Sequence, residues 1–405
     1  MLHNYFKIAL RNILKYKAYS FINVFGLALG VAVFFIALQF TTYHNGYDSF
    51  HEKAEGIYRI HQKFNDGGTT AHCSYPIKNA LLADYSEIQI ATSFGFGFEN
   101  KLYSEHKQII GEQILYIEPS FFDIFDVEFV ISTKEEAQKV LTSNISKAII
   151  TEEYAKTLFG ETDPIGQDFR MGDPNDQLNY TVFAVVKSFP ENSHFHFNML
   201  VPIESEPFFK TVETNWNNPV VYTYVYIPDA DKATEFQKLS TLDSFIEKHF
   251  PPVYGGPEAH LPVMPLKDIH LHSEASRELE GSIPFILVFI VSSIGTLILL
   301  LACINFMNLT TARATRRAKE VGMRKSLGAT KQLLIHQFIG EALLFSILSV
   351  MAGMILAEIF LPRFNGYLQQ ELTIDYFNNW FTIPTVLFIT LILGLVSWSY
   401  PEFVI

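Results

Sequence analysis

The sequence predicts an α-helical membrane protein with four transmembrane helices and a large extracytoplasmic mixed α/β domain inserted between helices 1 and 2. Three observations predict it. Charge is segregated: Ala18–Tyr47, Gly281–Ala312 and Tyr376–Pro401 hold no Asp, Glu, Lys or Arg across 30, 32 and 26 residues, and roughly 20 mostly apolar residues suffice to cross a bilayer. Lysine and arginine gather on particular flanks of these stretches. The long segment between the first two stretches carries both strand-like and helix-like phrases.

Composition narrows the class further. The 405 residues are 49% hydrophobic and 18% charged, with a mean hydropathy of +0.16, which excludes a disordered chain. Two cysteines, Cys73 and Cys303, exclude a disulfide scaffold. A net charge of −12 argues against a protein that grips nucleic acid by its phosphates.

Residues 1–17 carry Lys7, Arg11, Lys15 and Lys17 and no acid. Phe6, Ala9, Leu10 and Ile13 fall at i, i+3, i+4 and i+7, while Lys7, Arg11 and Lys15 repeat on another face. That is the pattern of an amphipathic cytoplasmic helix lying on membrane lipids. It is equally a positive flank that fixes topology, and the two readings are compatible. Helix 1 is placed at 18–42. Its basic start and apolar run look like a signal peptide, but the run is too long for one. No small-x-small cleavage site follows Leu38-Gln39-Phe40, so it is read as an anchor that stays. Gly26 and Gly30 form a GxxxG pair, either a close helix contact or a chance spacing.

Residues 43–282 hold 18 basic and 36 acidic residues. IYRIHQKF, KAIIT, TVFAVV and VVYTYVYI read as strands, and EEYAKTLFG and KATEFQKLSTLDSFIEKHF as helices. Tyr222, Tyr224 and Tyr226 share one face opposite Val221, Thr223 and Val225, which we read as a strand packed on both sides rather than a binding surface. Helix 2 is placed at 283–308, a cytoplasmic loop at 309–333, helix 3 at 334–361, a short periplasmic loop at 362–380 and helix 4 at 381–399. Glu341 and Glu358 lie near the ends of helix 3, where interfacial exposure tolerates charge.

Residues 309–337 carry seven cations (Arg313, Arg316, Arg317, Lys319, Arg324, Lys325 and Lys331) against Glu320 alone. With the basic N-terminus, this places both termini and the 309–333 loop in the cytoplasm and 43–282 outside. Within the loop, Arg313 and Arg317 sit on a helix continuing out of span two. Gly328 is suited to end a helix and Thr330 to cap the next. The expected pattern is helix, break, short helix, break, span. A short helix tied to two spans transmits motion well, yet on spacing alone the segment is equally a loop with no mechanical role.

Several phrases together resemble a known family. EVGMRKSLGATKQLLIHQFIGEALLFS (320–346) resembles the core permease segment of the FtsX/MacB-like family. YDSFHEKAEGIYRI (47–60), SFFDIFDVEF (120–129), ITEEYAKTLFGETDPIGQ (150–167), FPENSHFHFNML (189–200) and LKDIHLHS (266–273) look like its periplasmic core domain. KIALRNILKYKAYSFINVFGLALG is similar to its N-terminal helix and first span. The resemblance implies a membrane subunit of an ATP-binding cassette (ABC) system in the bacterial inner membrane. It also implies that the loop between spans two and three docks on a separate cytoplasmic ATPase, which binds the ATP and Mg. Carried over by position, that element is Glu320, Val321, Gly322, Met323, Arg324, Lys325, Ser326, Leu327, Gly328 and Ala329. Family members work by mechanotransmission, ATP-driven closure below moving the exterior domains above. Long forms repeat the four-span unit, so the resemblance implies either a half-unit that pairs with a second permease chain, as a homo- or heterodimer, or a truncated long form.

No G-x-x-x-x-G-K-[ST], H-E-x-x-H or G-x-S-x-G occurs, so no cofactor and no catalytic residue is expected in this chain. Two His-x-His pairs, His194/His196 and His270/His272, would each share a face if strand-borne and so chelate a metal, but no fourth ligand falls at a clear spacing. We read them as structural. Cys73 and Cys303 fall in different parts of the topology and read as buried small side chains. The leading functional expectation is a non-enzymatic permease for efflux or for lipoprotein or peptide export. The exterior partner would be a periplasmic adaptor or a lipoprotein. Its rivals are an FtsX-like regulator that activates a cell-wall hydrolase, an ATPase-independent receptor, and a non-transporting remnant.

Overall fold

The computed structural model describes residues 15–392 apart from 64–67, 97–99, 105–106, 112, 174–175, 239–242, 251–259, 327–330, 369, 371 and 375–382. The amphipathic stretch expected at 1–17 therefore lies almost wholly outside the described residues. The chain divides into two compact units, residues 1–44 with 285–405, and residues 45–284.

The first unit is helical: α1 (Lys17–Asn45), α10 (Phe285–Ser326), α11 (Lys331–Leu368) and α12 (Ile383–Ile392), with α2 to α9 belonging to the inserted unit. Among the described residues three helical stretches are long and apolar enough to cross a membrane: Lys17–Asn45, Phe285–Leu309 and Ala342–Leu368. The fourth expected span is represented by the short apolar α12, and the rest of 381–399 is outside the described residues. Two expectations need correcting. α10 runs unbroken to Ser326, so residues 320–326 are the last turns of the second span's own helix rather than a separate short helix. α11 continues to Leu368 with Pro362 inside it, reaching into the stretch expected as a loop.

Small residues let these helices approach. A Cβ on Gly30 would stand 2.6 Å from the Cβ of Ala302, and one on Gly295 would stand 2.5 Å from that of Ala37. Gly30 and Ala37 are one heptad apart on α1, as Gly295 and Ala302 are on α10. Each glycine therefore meets the other helix's alanine in an antiparallel pair, the close approach that small residues permit in lipid. Gly353 of α11 packs likewise, its added Cβ falling 2.7 Å from Val31 Cβ and 2.9 Å from the carbonyl of Ala28. Thr41 Oγ1 and Ser292 Oγ, 2.6 Å apart, add one interhelical hydrogen bond.

The second unit is built on one sheet. Its strands are β1 (Ile57–Ile60), β4 (Cys73–Ser74), β5 (Ile90–Phe96), β6 (Asn100–Ser104), β7 (Lys107–Gly111), β8 (Ile114–Ile117), β9 (Phe129–Ile131), β10 (Lys147–Thr151), β11 (Asp168–Asp173), β12 (Asp176–Val186), β13 (Met199–Pro202), β14 (Pro219–Tyr226) and β15 (Val263–Pro265). They run in the order β15-β1-β14-β5-β8-β13-β10-β12-β11-β6-β7, with β4 beside β14 and β9 beside β12. A two-residue pair, β2 (Gln62–Lys63) with β3 (Thr69–Thr70), stands apart. Helices α2 (Ile77–Asp84), α3 (Phe121–Ile124), α4 (Lys134–Ser143), α5 (Glu152–Phe159), α6 (Pro207–Val212), α7 (Ala230–Lys238), α8 (Asp243–His249) and α9 (Ile269–His272) complete the unit.

Both faces of the central strands are covered, which is why KAIIT and TVFAVV read as continuous apolar runs. On β8, Leu115 and Ile117 join a core with Phe94, Phe121, Phe125 and Phe195. The alternate residues Ile114 and Tyr116 join a second core with Phe169, Tyr180 and Met199. β14 behaves the same way, Tyr222 and Tyr224 entering the first core and Val221 the second. Thr133 and Thr151 cap α4 and α5, their side chains accepting from the amides of Glu136 and Tyr154 at 3.3 Å. Such caps contribute about 1 kcal/mol each. The phrase expected to be helical over 232–250 holds most of α7 and all of α8, with 239–242 outside the described residues.

Candidate functional site

Two places in the chain are candidate sites: the end of α10, where the sequence places the expected coupling element, and the polar part of the inserted unit where the polypeptide arrives from α1 and departs toward α10. Of the residues expected to couple to an ATPase, Glu320, Val321, Gly322, Met323, Arg324, Lys325 and Ser326 lie on the last turns of α10. Met323 is 63% exposed, and Ser326 Oγ donates back to the Met323 carbonyl at 2.7 Å. Leu327, Gly328 and Ala329 lie outside the described residues. Of the predicted packing pair, Gly30 sits at a helix contact. Gly26 does not demand one, because an added Cβ would meet only Asn305 Nδ2 at 3.8 Å.

At the base, one loop, residues 189–198, grips both the arriving and the departing chain. On the arriving side, Asp48 N donates to the Asn192 carbonyl at 2.9 Å, and Asn192 Nδ2 donates to the Gly46 carbonyl at 2.8 Å. Asp48 is fully buried and adopts φ +55°, a left-handed turn that aspartate tolerates better than most residues. Its carboxylate accepts from Ser193 Oγ at 3.0 Å and from the His194 amide at 3.1 Å, and His194 Nδ1 lies 2.9 Å from its second oxygen. Burial alone would raise this carboxyl; the charge and hydrogen bonds of His194 outweigh it and hold Asp48 below the usual carboxylate range. His194 Nε2 reaches Tyr224 Oη on β14 at 2.6 Å, tying the arriving chain to the sheet.

On the departing side, His196 pairs through Nδ1 with Glu280, and its Nε2 bonds the Pro190 carbonyl at 3.1 Å. Two residues before Glu280, Glu278 accepts from Arg59 Nη2 at 2.5 Å and from Ser273 Oγ. Arg59 is wholly buried on β1, and its Nε donates to His61 Nε2 at 2.8 Å. His61 must therefore be neutral to accept, and burial followed by the Arg59 charge lowers it to about 3. Tyr47 stacks on His270 with ring centroids 3.4 Å apart, and the His270 carbonyl accepts from the Ile283 amide at 3.0 Å.

The His-x-His pairs are not strand-borne. His194 and His196 occupy an irregular segment, and each turns to a carboxylate of a different part of the chain. His270 and His272 lie on the single-turn α9, where His270 stacks on Tyr47 and His272 faces Asp268 at 3.8 Å. Among the described residues, no three His, Cys, Asp or Glu side chains gather as a metal site would require. Cys73 is buried, its Sγ donating to the Ile60 carbonyl at 2.9 Å, whereas Cys303 on α10 is only partly buried. Sequence reasoning missed Asp48, Arg59, Glu278 and Glu280, as well as Gly295 and Gly353. Asp48 is the first charge after a 30-residue charge-free run, a signal that could have singled it out.

This base and this helix end occur in a chain with known relatives. A family model described as the MacB-like periplasmic core domain matches residues 20–240, more than half the chain, and one described as the FtsX-like permease C-terminal matches residues 292–401. The chain belongs to the FtsX/MacB-like permease family. It is similar to the macrolide export ATP-binding/permease protein MacB of Bdellovibrio bacteriovorus, 25% identical over 262 residues, covering 63% of this chain and 36% of that protein. It is also similar to the uncharacterized ABC transporter permease YknZ of Bacillus subtilis, 34% identical over 73 residues, 18% of each chain. The matched region thus spans about a third or less of these relatives' length. Among solved structures, a domain of a putative permease from Porphyromonas gingivalis aligns with a TM-score of 0.45 at 20% identity, over 59% of this chain and 98% of that one. The periplasmic region of MacB from Actinobacillus actinomycetemcomitans aligns with a TM-score of 0.38 at 16% identity, over 53% and 91%. The two family matches, and not these structural likenesses, make the inserted unit a MacB-like periplasmic core domain and the helices after it an FtsX-like ABC permease segment.

Proposed function

We propose that this FtsX/MacB-like permease works as the membrane subunit of an ABC transporter, converting ATP hydrolysis by a separate cytoplasmic ATPase into movement of the periplasmic core domain. The single observation that carries the reading is the length of α10. Its 42 residues rise about 63 Å at 1.5 Å per residue, roughly twice the hydrocarbon thickness of about 30 Å. One rigid rod thus begins directly after the gripped segment ending at Pro284 and carries the Glu320–Ser326 end well past a single bilayer crossing. A continuous helix has no slack in which to lose a displacement, so a push at Glu320–Ser326 is felt at Phe285.

In this reading both termini are cytoplasmic, residues 381–399 form the fourth span, and residues 320–329 dock on the ATPase, which holds the nucleotide and Mg. A second permease chain completes the unit, and the chain itself catalyses nothing. The work done is efflux, or export of a lipoprotein or peptide. The test is co-purification of the tagged chain from its native envelope in mild detergent, beside a variant whose residues 320–328 are replaced by a flexible linker. A P-loop ATPase that accompanies the native chain and is lost from the variant supports the reading. A folded, inserted chain that brings down no ATPase overturns it.

A further inference from the structure

His196 is placed between two acceptors and no donor. Its Nδ1 faces the Glu280 carboxylate and its Nε2 faces the Pro190 carbonyl at 3.1 Å. A neutral imidazole carries one N–H and can satisfy only one of them; the imidazolium satisfies both. With Glu280 ionised, the geometry therefore calls for the charged ring. The two acceptors belong to different parts of the chain, Pro190 to the loop that grips the arriving segment and Glu280 to the segment departing toward α10. The loop's hold on Asp48 is of another kind: fully buried, with two donors besides the His194 ring. The His196–Glu280 contact is partly open, the side chains being 23% and 33% exposed.

We propose that the His196–Glu280 pair is a pH-sensitive latch, through which the 189–198 loop holds the departing segment in acid and neutral media and releases it as the medium turns alkaline. The groups that set its charge come from each part of the chain packed there: Glu280 from the departing segment, Asp48 from the arriving one and the Pro190 carbonyl from the loop itself. Burial opposes the charged ring, but Glu280, Pro190 and Asp48 together outweigh it and raise His196 above its ordinary 6.5. The sign follows. A histidine whose folded value is raised contributes its full stabilisation below 6.5 and loses it as pH rises through the folded value. Glu278 remains bound by Arg59, a guanidinium that stays charged throughout. Release is therefore confined to the stretch from Leu279 to Pro284, where the Ile283 amide bond to the His270 carbonyl at 3.0 Å is the backbone contact that opens once the latch lets go, rather than spreading to the sheet. The latch rests on the geometry of the inserted unit alone; only its consequence for transport rests on the function proposed above.

The test is hydrogen–deuterium exchange of the full chain in lipid nanodiscs from about pH 6 to about pH 9, where a raised imidazole titrates, corrected for intrinsic exchange. Wild type, Glu280→Gln, His196→Gln and Asp268→Asn, the last removing the partner of His272, are compared. The expected result is a loss of protection at 279–284 with rising pH in wild type. Its midpoint falls by about one pH unit or more in E280Q, the equivalent of a tenfold change in proton affinity. It is unchanged in D268N, and in H196Q protection is low at every pH. Peptides from β1, β8 and β14 stay protected throughout and report that the domain is folded. If 279–284 exchanges identically across the range in wild type, the proposal fails, whatever the variants do. An unmoved midpoint in a folded E280Q also overturns it.

Discussion

In the periplasmic core domain the deepest contacts join large rings and charges, whereas in the helical unit they join glycines and alanines. Arg59, Tyr116, Tyr180, Tyr224 and a group of phenylalanines fill the domain interior. The helical unit brings α1 against α10 and α11 through Gly30, Gly295 and Gly353. The difference follows from solvent. Outside the bilayer, burying an aromatic ring is driven by water. Between lipid and protein that drive is absent, and close backbone approach takes its place. The two regions therefore break in different ways, and substitutions can tell the devices apart.

The largest effect is expected in the domain. Arg59→Met leaves Glu278 without its cation and should cost about 3–5 kcal/mol, the range for removing one partner of a buried ion pair. The buried Cys73 thiol, beside β1, reports the damage: its reaction with a thiol reagent should accelerate in the full-length variant. An unchanged rate would mean that the ionic base is not what holds the sheet edge.

Next comes the helical unit. Gly353→Leu pushes a side chain into Val31 and the Ala28 carbonyl and should destabilise by about 1–3 kcal/mol or more. Exchange protection of α1 and α11 in nanodiscs would register the loss, while β-sheet peptides stay protected. If the sheet loosens as much as the helices, the two regions do not have separate devices.

The domain should also weaken in acid. Burial lowers His51 to about 4 and His61 to about 3, against 6.5 for a free imidazole. Between those values the unfolded chain binds more protons, so stability falls as pH drops below about 6.5. Thermal unfolding of the domain followed from pH 7 to pH 4 should show this slope, and His51→Gln should make it shallower. The smallest effect belongs to Gly26→Ala, which meets only an ordinary contact and should leave helix packing within about 0.5 kcal/mol of wild type. Gly30→Ala in the same assay should not be silent, since Ala302 stands 2.6 Å away.

The same contrast explains what could be read in the sequence. KAIIT is a strand from Lys147 to Thr151 as expected, because burial on two faces leaves an unbroken apolar run. Gly30 was visible through its pairing with Gly26, although Gly26 itself proves slack. Gly295 and Gly353 have no second glycine at the GxxxG spacing that marked Gly26 and Gly30, and the residues they pack on, Ala37 and Val31, lie hundreds of positions away. The base was hidden for that reason: Asp48 finds His194 146 residues on, and Arg59 finds Glu278 219 residues on. The His-x-His spacing misled because it assumes a strand, and this segment bends so that each histidine finds a different carboxylate. The break expected at Gly328 and Thr330 lies outside the described residues, and nothing local announced that 285–326 would run as one helix.

In the proposed function, nucleotide bound by the cytoplasmic ATPase moves the periplasmic core domain through α10 and the gripped segment. The most direct measurement is hydrogen–deuterium exchange of the purified complex of chain and ATPase in nanodiscs, with and without a non-hydrolysable ATP analogue. The expected result is a nucleotide-dependent change in protection at 189–198 and 274–284. Nucleotide that binds and is hydrolysed while every peptide from 45–284 exchanges unchanged would contradict it.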